Sequence, residues 1–210
     1  MGVLLALAIG HGAPAHSFDE TRLQHSAAAM GARADTALRQ LSPLLIAARA
    51  MDDPAKLRTV NQFFNRQIEF ATDEQVWGQV DYWASPLESL QKRRGDCEDY
   101  AIAKYFSLLA AGMPVARLRL VYVRAQIDDG PAQAHMVLAY YPGAGGETLI
   151  LDNLVVEVLP ASQRRDLVPV FSFNSDGLWQ GVGTVGAGDP VVRLTRWRDL
   201  LAKVRAEGFL

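Results

Sequence analysis

The sequence is poor in cysteine, with Cys97 alone in a chain of 210 residues. One thiol cannot form a disulfide within the chain, and it cannot build a zinc site that needs several cysteines. Cys97 is therefore either a buried thiol with a packing role or a nucleophile.

Three further features are missing. Neither charge sign dominates, since 21 basic residues face 23 acidic ones, so there is no basic excess of the kind that binds nucleic acid. No apolar run approaches the roughly 20 residues of a membrane span. No tract is dominated by one or two residue types, which excludes a collagenous or disordered chain. These absences leave an ordinary globular protein, whose chain is long enough to form a sizeable core.

The N-terminus has the pattern of a secretory signal peptide. Residues 3–9 are apolar, and Ala13-Pro14-Ala15 fits a small-x-small cleavage site. The usual basic segment before the apolar run is missing, so an apolar N-terminus on a cytosolic protein stays open as the alternative. We expect an exported protein, with residues 1–15 as a signal peptide, shortened at its start, and residues 16–210 as a single domain.

Helical periodicity dominates the first half of the chain. Apolar residues recur at three- and four-residue steps over residues 19–50 and 54–70, which predicts two amphipathic helices, the first kinked or split at Pro43. Ser85-Pro86-Leu87-Glu88 is a capping box that opens a short helix ending near Gly95. Residues 96–111 are predicted as a third substantial helix, which places Cys97 in its first turn.

Strand periodicity follows in the second half. Alternation begins at residues 117–122, and further strands are predicted at residues 134–141, 148–152, 155–159 and 168–173. A glycine-rich stretch after Trp179 is interpreted as flexible, before a last amphipathic helix with a basic face. That helix either docks its apolar face on the domain or marks a membrane or partner surface. Helices followed by an antiparallel sheet are typical of an α+β domain.

Three titratable residues form a candidate catalytic set: Cys97 at a helix start, His135 within a strand, and Asp152 at the end of an apolar run. A helix N-terminus favours a thiolate, an imidazole can accept the thiol proton, and a carboxylate can orient the imidazole. A structural interpretation stays open, with a buried cysteine, a hydrogen-bonded strand histidine and an aspartate that opens a turn.

Three carboxylates, Asp96, Glu98 and Asp99, lie next to Cys97 in the sequence. Like charge raises the pKa of a thiol, so something is expected to offset them. Arg93 and Arg94 are one source of positive charge, and a bound Ca²⁺ ion is another. Alternatively, the acids serve only as the N-cap and first turn of the helix.

Four segments of the sequence resemble, in order, the bacterial transglutaminase-like cysteine proteinase family. They are DYWASP (residues 81–86), GDCEDYAIAKY (95–105), AHMVL (134–138) and LDNL (151–154), and the likeness runs from about residue 61 to residue 179. The resemblance implies a papain-like, transglutaminase-like core whose nucleophile helix packs on an antiparallel sheet. It also implies that Cys97 is the nucleophile, His135 the general base and later acid, and Asp152 its orienting partner.

The resemblance further implies calcium dependence, with Asp96, Glu98 and Asp99 as the expected ligands. The implied activity is that of a periplasmic endopeptidase that cuts the N-terminal region of a large surface adhesin at a di-alanine site and so promotes biofilm dispersal. The implied regulator is the periplasmic domain of an inner-membrane cyclic-di-GMP receptor. Two other functions stay open, namely acyl transfer to an amine and a non-catalytic binding module.

Overall fold

The computed structural model describes residues 18–127, 130–143 and 145–210. In these ranges the helices are α1 (Glu20–Met30), α2 (Ala32–Ala48), α3 (Asp53–Gln67), α4 (Asp73–Trp77), α5 (Pro86–Lys92), α6 (Cys97–Ala110), α7 (Pro190–Arg193) and α8 (Thr195–Glu207). The strands are β1 (Glu69–Phe70), β2 (Arg94–Gly95), β3 (Leu118–Ala125), β4 (Gln133–Tyr140), β5 (Leu149–Leu151), β6 (Leu159–Pro160), β7 (Leu167–Phe173), β8 (Leu178–Gln180) and β9 (Gly186–Gly188). The predicted signal peptide, residues 1–15, lies outside the described residues.

Seven strands form one antiparallel sheet in the order β6-β5-β4-β3-β7-β8-β9. The two-residue strands β1 and β2 pair in parallel, and β2 leads the chain into α6. Helices α1 to α6 precede the seven-stranded sheet in the chain, as the periodicity predicts, and α7 and α8 follow it. The α+β class is confirmed.

Helix α6 is the centre of the core. Residues 99–110 are all buried, because this helix packs on β3 and β4 on one side and on α3 and α5 on the other. A helix that is covered all round needs apolar residues on nearly every face, and α6 has them. The expected packing of the helix that begins at Cys97 on the antiparallel sheet is therefore confirmed.

The break in the first helical segment is not at the predicted residue. Residues 19–50 form two helices that separate at Gly31, whose φ of 112° favours glycine. Pro43 lies inside α2 without ending it, and the prediction of a split there is wrong. The buried residues Leu38, Leu41 and Leu45 surround Pro43 in the sequence, so core packing holds this helix together.

One strand prediction and the interpretation of the glycine-rich stretch as flexible also need correction. Residues 155–159 form a loop except for Leu159, because Val156 is exposed and its carbonyl accepts a hydrogen bond from the Asn61 side chain at 2.7 Å instead of a strand partner. The glycine-rich stretch contributes β9, which pairs with β8. Glycine leaves no side-chain pattern by which such a strand can be predicted.

The last predicted helix, α8, docks on the domain. Its apolar face, Trp197, Leu200, Leu201 and Val204, is buried. Trp197 stacks on Phe106 of α6 with ring centroids 5.6 Å apart. None of the helices in the described part of the chain has both the length and the apolar character that a membrane span requires.

Candidate active site

Cys97 is the first residue of α6, where the helix backbone carries partial positive charge. β2 delivers the chain to this point, and Gly95 allows a close approach of Asp99. A Cβ built on Gly95 would lie 2.5 Å from Asp99 Oδ2. The predicted placement of Cys97 in the first turn of this helix is confirmed.

His135 and Asp152 form a buried pair. Nε2 of His135 lies 2.8 Å from Oδ1 of Asp152, with side chains that are 5% and 0% exposed. Asp152 directly follows β5, which pairs with β4, and β4 carries His135. The antiparallel register therefore brings together two residues that are 17 positions apart in the chain.

The Asp152 carboxylate is held as an anion. Burial raises the pKa of this group, but His135 and Arg164 outweigh that effect and hold it at about 2. Arg164 Nη2 donates to Asp152 Oδ2 at 2.7 Å. Because an ionised carboxylate can only accept, Nε2 of His135 carries the shared proton. Nδ1 of His135 is then the nitrogen that can serve as a base.

The Cys97 thiol makes its hydrogen bond to a neighbouring carboxylate. Sγ lies 3.1 Å from Glu98 Oε2, and His135 is not its partner among the described residues. Burial raises the pKa of the thiol, and Glu98 and Asp96 raise it further, while the backbone N–H of Met136 lowers it. The flanking acids therefore oppose thiolate formation in this arrangement, as the sequence predicts.

Two further aspartates join the three acids that flank the thiol. Ligand oxygens of Asp73, Asp96 and Asp99 lie within 4.8 Å of one another, and the same holds for Asp73, Asp81 and Glu98. Within the described residues, Asp73 Oδ1, Asp96 Oδ1 and Asp99 Oδ2 are buried without a hydrogen-bond partner. Carboxylate oxygens in such number are the ligands that Ca²⁺ takes.

The electrostatics of this acidic cluster agree with its geometry. Burial raises the pKa of Asp96 to about 9, with a further contribution from Glu98. Burial likewise raises the pKa of Asp73, Glu98 and Asp99. Asp96 occupies the N-cap position, yet its side chain makes no capping bond in the described structure. The simple capping interpretation therefore does not explain Asp96, whereas the donor set fits a divalent cation.

Sequence reasoning missed Asp73 and Asp81 as part of this cluster. Asp73 is the first residue of α4, which a Thr72-Gln75 capping box opens. That capping box was the signal that could have placed a helix start here. Asp81 belongs to the DYWASP segment, so its surroundings were recognised although its carboxylate was not.

The loop that carries Asp81 is fixed from two sides. On one side the Ala84 N–H donates to Asp99 Oδ1 at 2.9 Å. On the other side α8 contributes Lys203 Nζ, which donates to the Trp83 carbonyl at 2.7 Å, and Arg196, which pairs with Asp81 at 3.1 Å. The acidic cluster is built from three separate parts of the chain: Asp73 on α4, Asp81 in this loop, and the acids at the start of α6.

Comparison with known proteins gives consistent matches. The model of the bacterial transglutaminase-like cysteine proteinase family matches residues 34–180. LapG of Legionella pneumophila is 35% identical with a TM-score of 0.75, covering 90% of this chain and 99% of that one. Its EGTA-treated form is 36% identical (TM-score 0.77, covering 90% and 99%), and its calcium-bound form is 37% identical (TM-score 0.74, covering 88% and 98%). No curated protein matches the sequence.

Proposed function

Because this chain belongs to the bacterial transglutaminase-like cysteine proteinases, we propose that it is a calcium-dependent periplasmic endopeptidase with the catalytic triad Cys97, His135 and Asp152. The observation that carries the proposal is the buried His135–Asp152 hydrogen bond of 2.8 Å, with Cys97 at the start of the helix that packs on the histidine's strand. Export by residues 1–15 and a single catalytic domain over residues 16–210 are parts of the same proposal.

In the proposed reaction, Nδ1 of His135 takes the thiol proton and Sγ of Cys97 attacks the scissile carbonyl carbon. The backbone N–H of Cys97 donates to the oxyanion that forms. The C–N bond then breaks, and His135 gives its proton to the leaving amine. His135 next removes a proton from water, whose oxygen attacks the thioester, and the carboxylic acid leaves as the thiol is restored. Asp152 keeps the imidazole in one orientation throughout.

The acidic cluster is the proposed calcium site, with Asp73, Asp81, Asp96, Glu98 and Asp99 as the residues that would hold the ion. When bound, Ca²⁺ supplies positive charge that offsets the carboxylates beside the thiol. Support comes from the unpartnered carboxylate oxygens of the cluster and from the calcium-bound form of Legionella LapG.

The proposed substrate is the N-terminal region of a large surface adhesin, cut at a di-alanine site, so that adhesin release promotes biofilm dispersal. The proposed regulator is the periplasmic domain of an inner-membrane cyclic-di-GMP receptor, which sequesters the protease. Both rest on the family resemblance in the four sequence motifs.

The substrate is tested with an adhesin fragment from the same genome that contains the di-alanine site, beside a matched fragment in which both alanines are aspartate. We expect hydrolysis of the first fragment alone, and mass spectrometry should show the cut at the di-alanine bond.

A parallel reaction that includes a primary amine tests the two alternative functions. Amine-coupled product would support acyl transfer instead, and binding of the fragment without any product would support the binding module.

A further inference from the structure

A lysine is buried in the middle of the nucleophile helix. Lys104 lies seven residues, or about two turns, after Cys97 on α6 and is 0% exposed. Lysine is almost never fully buried unless it has a partner. Its hydrogen-bond partner here is the backbone of the candidate triad acid, since Lys104 Nζ donates to the Asp152 carbonyl oxygen at 2.9 Å. Nζ also lies 5.5 Å from the centroid of the Tyr100 ring.

The same carbonyl oxygen has a second side-chain donor from another helix. Asn65 Nδ2 on α3 donates to it at 2.9 Å. A carbonyl oxygen accepts two hydrogen bonds, so both of its lone pairs are used. Asp152 is thereby tied to α6 through Lys104 and to α3 through Asn65, while its carboxylate binds His135 and Arg164.

We propose that Lys104 is a positioning residue for the proteolytic reaction, because it fixes the backbone of Asp152 to the helix that carries the nucleophile. Through Asp152, Lys104 determines the position of the His135 imidazole relative to Sγ of Cys97. The inference rests on the proposed function and adds to it a fully buried residue that acts through Asp152.

Stability alone does not explain a lysine at this position. Taking an amine out of water is costly, and the hydrogen-bond partner of Lys104 is a neutral carbonyl oxygen, so an apolar side chain here would leave no carboxylate without its counter-charge. The Asp152 carbonyl would keep its bond from Asn65 if Lys104 were apolar, so no buried acceptor would be orphaned. Burial lowers the pKa of Lys104 to about 7, with Asp152 opposing the shift. The amine retains N–H donors in either protonation state.

The test compares Lys104→Met with Lys56→Met in the full chain. Lys56 is also buried, near the start of α3, and lies roughly 13 Å along that helix axis from Asn65. For Lys104→Met we expect a melting temperature unchanged or higher, kcat on the adhesin fragment lowered about 10- to 100-fold, and KM within about twofold. For Lys56→Met we expect wild-type kcat and KM.

Two further measurements separate positioning from packing. The nitrogen-bound proton of His135 is followed by NMR, and its resonance should shift in Lys104→Met but not in Lys56→Met. Asn65→Leu removes the other donor and leaves the tie to α6, so its kcat should fall less than that of Lys104→Met. The NMR comparison also decides the role of Lys104 if wild-type protein cleaves nothing, an outcome that would count against the proposed function alone.

Several results would overturn the inference. They are a kcat within twofold of wild type for Lys104→Met, an unshifted His135 resonance, or an equal loss of kcat in Asn65→Leu. A Lys104→Met chain that fails to fold would overturn it too, since the lysine would then serve stability.

Discussion

Arg164 offers the sharpest test of how the candidate triad acid is held. Its Nη2 lies 2.7 Å from Asp152 Oδ2 and 2.7 Å from Asp166 Oδ2, and its side chain is 3% exposed. Replacing Arg164 by Met removes the charge and leaves the Asp152 carboxylate buried with one oxygen unpaired. Removing one partner of a buried ion pair costs about 3–5 kcal/mol, because the remaining charge has lost its compensation.

For a chain of this length each kcal/mol corresponds to about 2–4 °C in melting temperature. Arg164→Met should therefore melt roughly 6–20 °C below wild type, and urea unfolding should give the free-energy loss directly. Asp166→Asn is the matched control, because Asp166 binds the same guanidinium but its side chain is 35% exposed. The free energy of unfolding of Asp166→Asn should lie less than about 1 kcal/mol below that of wild type. Equal losses in the two variants, or a loss below about 1 kcal/mol in Arg164→Met, would refute the reasoning.

Three other predictions follow from the site. The pKa of Asp152 in the folded protein is about 2 against an ordinary 3.8, so the stability that its ionised form gives to the fold is complete above about pH 4. The free energy of unfolding, measured with urea, should fall by about 2 kcal/mol as the pH is lowered from 4 to 2. The Asp152→Asn variant should not show this fall. Asp73→Asn should weaken calcium binding at least tenfold by calorimetry, and unchanged affinity would exclude Asp73 as a ligand. The calcium-free variant should be as stable as wild type or more so, because it loses a buried carboxylate whose Oδ1 has no hydrogen-bond partner. Arg196→Gln should raise calcium affinity by no more than about fivefold, because this partly exposed guanidinium competes for Asp81, and weaker binding would contradict that competition.

Local sequence signals predicted much of the fold. Ser85 caps α5 and Glu88 closes its capping box, as the sequence predicts. Asp52 caps α3, which begins within one residue of its predicted start. Such signals act over three or four residues, so one sequence is enough to recognise them. The start of α6 at Cys97 follows in the same way.

Long-range packing decided the features that were missed. Pro43 is kept inside α2 by the surrounding core, which outweighs the local cost of proline. Asp73 joins Asp96 across 23 positions, and Lys104 meets Asp152 across 48. No local sequence pattern predicts a contact between residues that are so far apart in the chain. The motif resemblance supplied His135 and Asp152 as a pair, and the geometry adds Arg164 to it.

The most direct test of the account is cleavage of the adhesin fragment by wild-type protein and by Cys97→Ala, each with Ca²⁺ and with a chelator. The account predicts product only for the wild type in the presence of Ca²⁺, because the reaction requires the thiol and the acids beside it require a counter-charge. Product from Cys97→Ala would contradict the nucleophile assignment. Equal cleavage with the chelator would contradict the proposed calcium dependence, and no cleavage by wild type with Ca²⁺ would contradict the proposed endopeptidase activity.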